Sequence, residues 1–439
     1  MRKVKTMLEN RKYVEEMKEN VGKKITLAGW VHDTRILGKI NFIVLRDKTG
    51  KGQITAIKGK VPESVMKLIE SLRQEDVIAV EGKVTKSKEA RAGVELIPEK
   101  IDVINKAETP LPLDPRTVTK ANMDTQLDWR VLHMRTDEAR SIFRIQAQIL
   151  KSFREFLTSK GYLEIQPPII IASASEGGAE LFSIPYFEKT AYLAQSPQLY
   201  KQMCAIAFEK VFTVLPVFRA EKFDQPTHLN EIRQMDIEQA FATDEDVIKV
   251  LEECFVQILK DVKKNCAEEL KLLGREDLKT PKLPLKRVTY DEVVKLLQKS
   301  GDKIKWGDDF SKTQEKMMLK LVGEEAFVLK DWPTEIKAFY AMPYEKNPKV
   351  CHAFDLIYNG LEICSGTQRI HIPELLIKQL KSKGLNPDNF KFYIDCFRYG
   401  SPVHSGWSIG LERLTMQVTG RSNIREATMF PRTRDRITP

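Results

Sequence analysis

Residues 218–241 concentrate side chains that can bind an anionic ligand. Arg219 and Glu221 lie two positions apart at the start of this segment, and a polar loop follows them. The β-prone runs 211–218 and 233–241 flank the loop, which predicts two antiparallel strands joined by a turn. Such a hairpin would direct Arg219 and Glu221 at one ligand, although an ordinary surface hairpin can carry the same charge pair.

A glycine-containing turn, GWSIGLERL at 406–414, is a second candidate site. Gly406 and Gly410 precede Glu412 and Arg413, and an apolar helical pattern follows. Glycine allows the backbone to lie close to a planar or phosphate ligand, and a guanidinium in the first turn of a helix pairs well with phosphate. Taken alone, such a turn is more often a packing feature.

The third segment is 161–171, GYLEIQPPIII, which follows an amphipathic helical pattern. Gly161 is expected to cap that helix, and a proline pair then leads into a β-branched run. Together the three segments resemble motifs 1, 2 and 3 of the class II aminoacyl-tRNA synthetases. The residues between them resemble most closely the archaeal-type aspartyl-tRNA synthetases, and the similarity covers nearly the whole chain.

The resemblance implies an α+β chain with an N-terminal OB-fold β-barrel and a class II catalytic domain, in which helices flank an antiparallel sheet. The expected parts are an anticodon-binding domain at 1–105, a linker at 106–135 and the catalytic domain at 136–439. The implied activity is ATP-dependent ligation of L-aspartate to tRNA(Asp) through an aspartyl-adenylate, and charging of tRNA(Asn) is left open. An asparaginyl-tRNA synthetase and a non-catalytic RNA-binding paralogue are the alternatives.

The resemblance also implies which residues form the site. The implied catalytic residues are Arg219, Glu221 and Arg413. The residues implied for ATP binding are Arg219, Ala220, Glu221, His228, Leu229, Glu362, Gly410, Leu411, Glu412 and Arg413. The residues implied for aspartate binding are Glu176, Gln198, Lys201, Asp236, Ser365 and Arg369. The implied cofactor is Mg²⁺, with Glu362, Ser365 and Asp355 as its residues.

Charge placement predicts the mechanism, because both reactants are anionic. The α-carboxylate of aspartate attacks the α-phosphorus of ATP, so the protein must neutralise repulsion and hold geometry rather than supply a nucleophile. By resemblance, Arg219 bridges the α-phosphate and the carboxylate, Glu221 orients the adenine amino group, and Arg413 with Mg²⁺ takes the pyrophosphate. Lys201 and Arg369 would bind the substrate's side chain. Asparagine would leave both cations unpaired, which predicts discrimination of roughly 10⁴ to 10⁵.

Two further stretches would complete the amino-acid site. The segment SASEGGAELF at 173–182 has the composition of a mobile loop, and Lys201 follows near the start of a helix. Strand-like alternation in 350–371 would place acids and a guanidinium along one line of a sheet, although in isolation this run reads as a charged edge strand. Asp236 would accept a hydrogen bond from the ammonium of the substrate.

Thr227 departs from the family pattern. Close relatives carry an arginine before the motif 2 histidine, and that arginine reaches the ATP phosphates, whereas this chain reads DQPTHL. The loss of one charge-assisted contact costs roughly 1.5–3 kcal/mol, which weakens an enzyme without abolishing its activity. Lys222 or His228 is expected to compensate.

The first hundred residues predict the element that would carry RNA recognition. Five strand patterns and one helix, at 63–72, occur in an order that suits an OB-fold, and a purely structural barrel is the alternative. The expected strands are 24–32, 39–47, 52–57, 76–84 and 94–104.

By resemblance, Arg35, Phe42 and Gln53 on adjacent strands would bind the anticodon. Phe42 can stack on an unpaired base, a contact worth roughly 1–3 kcal/mol. Gln53 can pair with a base edge, and Arg35 can hold a phosphate or base. His32 occupies the position at which family members that charge two tRNAs differ from those that charge one, and histidine favours the two-tRNA type.

The remaining elements follow from periodicity. Three prolines in 106–116 indicate a semi-rigid linker. Apolar residues at helical spacing predict a helix at 138–160, which with Pro168 would form a homodimer interface by resemblance, or pack as an ordinary core helix. The Lys- and Glu-rich segment 247–273 predicts a solvated helix.

The amino-acid composition limits the partners, metal sites and compartment that can be expected for the protein. The chain has 439 residues and a formal net charge of +10, which suits a polyanionic partner but does not identify one; the resemblance implies tRNA. Its six cysteines include no CxxC pair, so neither a disulfide framework nor a zinc site is predicted. A charged N-terminal segment and the absence of a long apolar run predict a cytoplasmic protein without a membrane segment.

Overall fold

The chain divides into two units, Met1–Thr136 and Asp137–Pro439. The computed structural model describes residues 8–117, 121–172, 181–222 and 225–439. The segment 106–135, expected as a linker, falls within the first unit. None of the helices in these described ranges combines the length and the apolar character that a membrane span requires. All six cysteines are free thiols.

The first unit is a closed β-barrel, which confirms the predicted OB-fold. The strands pair in the order β1-β2-β3-β4-β6-β5, and pairing of β2 with β5 closes the barrel. Alternate residues of these strands, among them Leu27, Ile43 and Ile54, fill its interior. The strands are β1 (Arg11–Lys12), β2 (Lys24–Ile36), β3 (Ile40–Arg46), β4 (Lys51–Ile57), β5 (Val77–Lys86) and β6 (Val94–Asn105). Its helices are a 3₁₀ helix (Val14–Asn20), α1 (Glu63–Ser71), α2 (Met123–Asp128) and α3 (Arg130–His133).

The second unit is built on an eight-stranded sheet. Its order is β13-β14-β15-β16-β17-β12-β11-β7, antiparallel except for the parallel edge pairs β13–β14 and β11–β7. A separate three-stranded sheet in the same unit has the strand order β8-β10-β9. The strands are β7 (Leu163–Glu164), β8 (Ile170–Ile171), β9 (Ser183–Tyr186), β10 (Lys189–Leu193), β11 (Lys210–Phe218), β12 (Glu231–Ala240), β13 (Lys286–Thr289), β14 (Ala326–Pro333), β15 (Val350–Tyr358), β16 (Leu361–Gln368) and β17 (His404–Gly410).

Helices connect the strands of this sheet and pack against it. They are α4 (Asp137–Ser159), α5 (Gln198–Phe208), α6 (Asp244–Asn265), α7 (Ala267–Leu272), α8 (Tyr290–Lys299), α9 (Lys312–Val322), α10 (Pro373–Ser382), a 3₁₀ helix (Pro387–Phe390), α11 (Lys391–Arg398) and α12 (Leu411–Thr419). Helix α4 ends as predicted, because Gly161 adopts φ +80° and the amide of Tyr162 reaches back to the carbonyl of Leu157 at 3.0 Å.

Helices α4 and α6 form the back layer. Phe153 of α4 packs edge-on against Phe212 of β11 and Trp407 of β17, with ring centroids 5.8 and 6.2 Å apart. The indole of Trp407 donates to the carbonyl of Val247 in α6 at 3.0 Å. The expectation of a solvated helix at 247–273 is wrong. One face of α6, including Val247 and Phe255, is fully buried, because its apolar residues recur at helical spacing between the charged ones.

The front face of the sheet carries an aligned row of polar residues. Asp236 of β12 lies opposite Ser408 of β17, Ser408 lies opposite Ser365 of β16, and Ser365 lies opposite Asp355 of β15. Paired residues on neighbouring strands point to the same face, so four strands contribute one row of oxygen-bearing side chains.

A β-bulge brings Glu362 to this face. Leu356 pairs with Cys364 but the next residue of β15, Ile357, pairs with Glu362, so Ile363 is the extra residue. Simple alternation along β16 would place Glu362 and Ser365 on opposite faces, and the one-residue insertion reverses that relation.

The two glycines of the motif 3 strand, β17, differ in the space around them. A Cβ on Gly406 would lie 2.2 Å from Oε2 of the buried Glu238 and 2.3 Å from the carbonyl oxygen of Ile237. A Cβ on Gly410 would meet only the Arg413 side chain at 3.8 Å. Close packing therefore requires Gly406, whereas Gly410 leaves an open surface.

We expect Gly406→Ala to destabilise the protein by roughly 3 kcal/mol or more, because the Ile237 carbonyl cannot move without distorting the sheet and the Glu238 carboxylate cannot move without disturbing its ion pair with Arg369. Gly410→Ala, the matched control at the start of α12, should cost less than about 1 kcal/mol. Chemical denaturation of both variants gives the comparison. Equal losses of stability in the two variants would contradict the conclusion that close packing requires glycine at position 406.

Candidate active site

Two adjoining cavities open on the front face of the sheet. The first has a volume of about 360 Å³ and the second about 220 Å³. Four residues line both cavities, Arg219, Gln234, Ser365 and Ser408. The first also contains Glu221, Thr227, His228, Leu229, Lys312, Glu315, Glu362, Gly410, Glu412 and Arg413 in its wall. The second contains Ser196, Gln198, Lys201, Asp236, Lys337, Tyr340 and Arg369. Residues predicted for ATP and for aspartate thus fall largely into separate, connected spaces.

The hairpin β11–β12 presents Arg219 as predicted. Asn230 ties the loop ends together: its carbonyl accepts from the Arg219 amide at 2.9 Å, and its Nδ2 donates to the carbonyls of Arg219 and Glu221 at 2.7 and 3.0 Å. These bonds fix the backbone from which Arg219 and Glu221 project into the first cavity. Sequence reasoning missed Asn230, because a loop asparagine carries no signal of its own.

Arg413 lies at the centre of a hydrogen-bonded chain in the first cavity. Its guanidinium donates to the carbonyl of Glu362 at 3.1 Å and approaches Nε2 of His228 at 3.2 Å. Since arginine can only donate, Nε2 accepts and the proton of the neutral imidazole is on Nδ1. Nδ1 lies 3.0 Å from Oγ1 of Thr227, which accepts that proton.

His228 is a neutral link in this chain. Burial, followed by the neighbouring Arg413, Lys312 and Arg219, lowers the pKa of His228 to about 4. An uncharged imidazole cannot replace a missing arginine charge. Lys222, the other expected compensation for Thr227, is exposed and lines neither cavity.

Some predicted ATP residues also have structural contacts. Both carboxylate oxygens of Glu412 accept from the backbone N–H of Arg233, at 3.1 and 3.0 Å, and burial raises the pKa of Glu412 to about 7. Leu411 is buried, and neither Leu411 nor Ala220 belongs to the cavity walls. Leu229 lines the first cavity from an apolar cluster that includes Met416.

A buried ion network occupies the base of the second cavity. Nζ of Lys201 lies 2.7 Å from Asp236 and 3.6 Å from Glu238, and Nε and Nη2 of Arg369 donate to Glu238 at 2.9 and 3.1 Å. Burial raises the pKa of Asp236, whereas Arg369 and Lys201 outweigh burial at Glu238 and lower its pKa. Ser408 donates to the second oxygen of Asp236 at 3.1 Å.

This network corrects the expected basis of amino-acid selection. The prediction assumed that Lys201 and Arg369 would lack partners when asparagine binds. Each already pairs with a carboxylate of the protein, so neither cation would stand unpaired. Gln198 also lines the cavity, with its amide bonded to Gln202 at 3.0 Å. Glu176 lies outside the described residues.

Asp355 is held by a lysine that the sequence gave no reason to single out. Nζ of Lys337 lies 2.8 Å from Oδ2 of Asp355 and over the Trp332 ring, while Oδ1 is buried without a hydrogen-bond partner among the described residues. Burial, only partly offset by Lys337, raises the pKa of Asp355 to about 6. Glu362 is half-buried; burial raises its pKa, but Arg413, Lys337 and Lys312 together bring it below the ordinary value.

The barrel brings three of its four predicted residues to one outer face. Arg35 lies opposite Phe42, and Gln53 lies opposite Val44, two residues along β3 from Phe42. The amide of Gln53 donates to Thr55 and Glu95 at 3.2 and 3.0 Å.

His32 occupies a different environment. It lies at a bulge of β2, its side chain is buried, and its Nδ1 is 3.3 Å from Arg46. Arg46 in turn pairs with the buried Glu75 at 2.8 Å. A part for His32 in RNA recognition would therefore be indirect, through the position of β2.

Sequence reasoning overlooked several residues of the two cavities and of the ion network beneath the second one. Gln234 and Glu238 lie two residues on either side of Asp236 in β12. Residues two apart in a strand point to the same face, and this period of two is the one signal that could have identified Gln234 and Glu238. Lys337 lies on a connection between strands, and Lys312 lies on a helix remote in sequence from every motif. They are recognisable only in three dimensions.

Comparison with known families matches both units. The family described as tRNA synthetases class II (D, K and N) matches residues 122–434, and the OB-fold nucleic acid binding domain matches residues 25–104. The aspartate–tRNA(Asp/Asn) ligase of Archaeoglobus fulgidus is 46% identical over 434 residues, 98% of this chain and 100% of that protein. The aspartate–tRNA(Asp) ligase of Pyrococcus abyssi is also 46% identical, over 97% and 99% of the two chains.

Solved structures agree in fold. The asparaginyl-tRNA synthetase of Pyrococcus horikoshii, complexed with asparaginyl-adenylate, matches with a TM-score of 0.93 at 34% identity, covering 98% of this chain and 99% of that one. The aspartyl-tRNA synthetase of Entamoeba histolytica matches with a TM-score of 0.85 at 32% identity, over 98% and 93%.

Glu412→Gln is expected to change how stability depends on pH. The pKa of Glu412 is about 7 in the folded protein against an ordinary 4.5, so between these values the folded state retains a proton that the unfolded state has released. Wild-type stability therefore falls as pH rises through this window, by up to roughly 3 kcal/mol from this group. Glutamine keeps an acceptor for the Arg233 amide but does not titrate.

The melting temperature of the variant minus that of the wild type should therefore increase between pH 4.5 and pH 7. Glu324→Gln, at an exposed position, is the control for a general charge effect. A difference that stays constant across this range would reject the buried, protonated state of Glu412.

Proposed function

Because this chain belongs to the class II tRNA synthetases, we propose that it activates L-aspartate with ATP and transfers the aspartyl group to tRNA(Asp). ATP occupies the first cavity and aspartate the second. The curated relatives at 46% identity are named as aspartate–tRNA ligases, which favours aspartate among the amino acids of the family.

The single observation that carries the proposal is the position of Arg219. Its side chain lines both cavities, at the place where they adjoin. A guanidinium there can contact the α-phosphate of ATP and the attacking α-carboxylate of aspartate together, which offsets the repulsion between two anions. The ordered backbone around Asn230 keeps this cation in place before the substrates bind.

The walls of the first cavity fit the rest of the nucleotide. Glu221 would accept from the adenine amino group, and Arg413 would pair with the departing pyrophosphate. The chain from Thr227 through His228 orients the guanidinium of Arg413. The guanidinium of Arg413 is therefore already oriented to stabilise the negative charge that develops on the departing pyrophosphate.

We propose Mg²⁺ as the cofactor, held by Glu362 and Ser365, with Asp355 behind them. Carboxylate and hydroxyl oxygens are its preferred ligands, and the unpartnered Oδ1 of Asp355 is a buried acceptor in the same row. When bound, the ion would neutralise phosphate charge. The described residues contain no group of three His, Cys, Asp or Glu side chains that could hold a metal, so phosphate and water oxygens would complete the coordination.

Net charge accounts for the choice of aspartate. Four cations line the second cavity, Arg219, Lys201, Lys337 and Arg369. Three carboxylates pair with them, Asp236, Glu238 and Asp355. The excess of one positive charge suits aspartate, which carries a net charge of −1, better than the zwitterion asparagine. Glu238 occupies one edge of the Arg369 guanidinium, so the substrate carboxylate would bind the other edge.

We also propose that tRNA(Asn) is a second acceptor. His32 has the residue type of the two-tRNA enzymes, and the Archaeoglobus fulgidus relative is named for both tRNAs. Charging assays with tRNA(Asp) and tRNA(Asn) transcripts test this directly, and comparable rates for both would support it.

A homodimer is the proposed assembly. Ile142, Ile149 and Phe153 of α4 are buried within their own chain, so they cannot form the interface. The exposed Leu163 and Ile170, on either side of Pro168, are the better candidates. Sedimentation equilibrium of the wild type and of Ile170→Glu distinguishes a dimer from a monomer.

Aspartate-dependent ATP–pyrophosphate exchange tests the activation step. We expect exchange with aspartate and little with asparagine. Arg219→Gln should lower kcat/KM by roughly 10² to 10³, because it removes the cation between the two anions. Arg233→Gln on the same hairpin is the control, since this partly exposed side chain lines neither cavity.

Absence of exchange above background with either amino acid would reject both enzyme functions and leave the non-catalytic paralogue. Exchange with asparagine alone would instead identify an asparaginyl enzyme. Equal losses in Arg219→Gln and Arg233→Gln would show that Arg219 has no special position.

Phe42→Ala tests the barrel separately. Loss of a base stack should raise the KM for tRNA(Asp) roughly fivefold to a hundredfold, while the tRNA-independent exchange reaction stays unchanged. An unchanged KM for tRNA would assign Phe42 to packing alone.

A further inference from the structure

The first cavity contains a lysine that the proposed mechanism does not yet use. Lys312 is the first residue of α9, and its side chain lines the cavity together with Arg219, His228 and Arg413. Three cations line this cavity among the described residues, and Lys312 is the one that comes from outside the three motif segments.

The position of Lys312 is fixed through a buried acid. Its Nζ lies 2.5 Å from Oε1 of Glu315, which is only 4% exposed. The other oxygen of Glu315 accepts from the backbone N–H of Glu362 at 3.1 Å. Arg413 donates to the carbonyl of the same residue, Glu362, which belongs to the next peptide unit. The backbone of Glu362 is therefore connected directly to Arg413 and, through Glu315, to Lys312.

A simple helix-surface ion pair does not account for this arrangement. Ser311 caps α9 by accepting from the amide of Gln314, so Lys312 stands in the first turn, where the helix dipole disfavours a cation. Its partner Glu315 is buried and bonded to another element rather than solvated. The lysine head remains about one-third exposed, on the cavity side.

We propose that Lys312, together with Arg413, binds the phosphates of the nucleoside triphosphate in this cavity. This inference rests on the proposed function, and it adds a phosphate-binding residue from α9. An ammonium has three donors, so Lys312 can keep its bond to Glu315 and offer the others to phosphate oxygens.

Thr227 explains why a cation from α9 is needed. It lies in the wall of the same cavity, but its hydroxyl only accepts from the neutral His228. Among the described residues of the motif 2 loop, Arg219 alone brings a positive charge to the wall of this cavity. Five acidic residues line the same cavity, so each remaining cation matters for binding a polyanion. They are Glu221, Asp309, Glu315, Glu362 and Glu412.

The test is direct ATP binding, measured by calorimetry with Mg-ATP on the full chain, alongside aspartate-dependent exchange. Lys312→Met should raise the Kd for ATP roughly tenfold or more and leave the KM for aspartate within about twofold. Lys320→Met, an exposed lysine on the same helix, is the matched control and should change neither value.

Two further variants separate charge from structure. Lys312→Met with Glu315→Gln removes the unpaired buried carboxylate but keeps an acceptor for the Glu362 amide, so ATP binding should stay weak. Thr227→Arg added to Lys312→Met should restore the Kd to within about threefold of wild type, because it returns one cation to the same cavity.

The inference is overturned if Lys312→Met binds ATP as the wild type does, or if Glu315→Gln restores binding. It is equally overturned if Thr227→Arg gives no recovery. Failure of the proposed function would give a different result from failure of this inference. The wild type would then bind ATP without aspartate-dependent exchange, and the Kd values of the wild type and Lys312→Met would still show whether Lys312 binds ATP.

Discussion

The buried ion network of Lys201, Asp236, Glu238 and Arg369 is the interaction on which the site depends. All four side chains are at most 3% exposed. Taking these charges out of water is costly, and a buried ion pair often contributes little net stability, whereas removal of one partner is strongly destabilising. The main effect of the network is therefore to fix the positions of these four side chains. It joins α5, β12 and the end of β16 into one charged floor beneath the second cavity.

Sheet geometry extends this order across the whole site. The register aligns Asp236, Ser408, Ser365 and Asp355 in one row, and the bulge at Ile363 adds Glu362 to the same face. Because the back of the sheet packs against α4 and α6 through large aromatic side chains, the row cannot shift without disturbing the core. Two anionic substrates thus meet a surface whose charges are already oriented, which is the main requirement of electrostatic catalysis.

The motif segments and the barrel could be predicted from sequence. Arg219 and Arg413 line the first cavity, Lys201 and Arg369 line the second, and five of the six strands of the barrel unit occur where alternation predicts them. These features depend on local pattern, namely the period of two in strands, glycine before a helix and residue types in short segments. The partners of these residues could not be predicted. Glu238 for Arg369, Lys337 for Asp355 and Asn230 for the hairpin loop arise from contacts between distant segments.

By itself, the sequence determined the family resemblance, the two-part organisation and the cations directed at an anionic ligand, because each is encoded in neighbouring residues. Only the tertiary structure decided which charges are balanced. It showed that Lys201 and Arg369 already have carboxylate partners, that α6 is a core helix rather than a solvated one, and that Glu362 shares a face with Ser365. The physical reason is that burial, register and ion pairing are properties of segments brought together by folding, and one inserted residue in a strand reverses the face to which a side chain points.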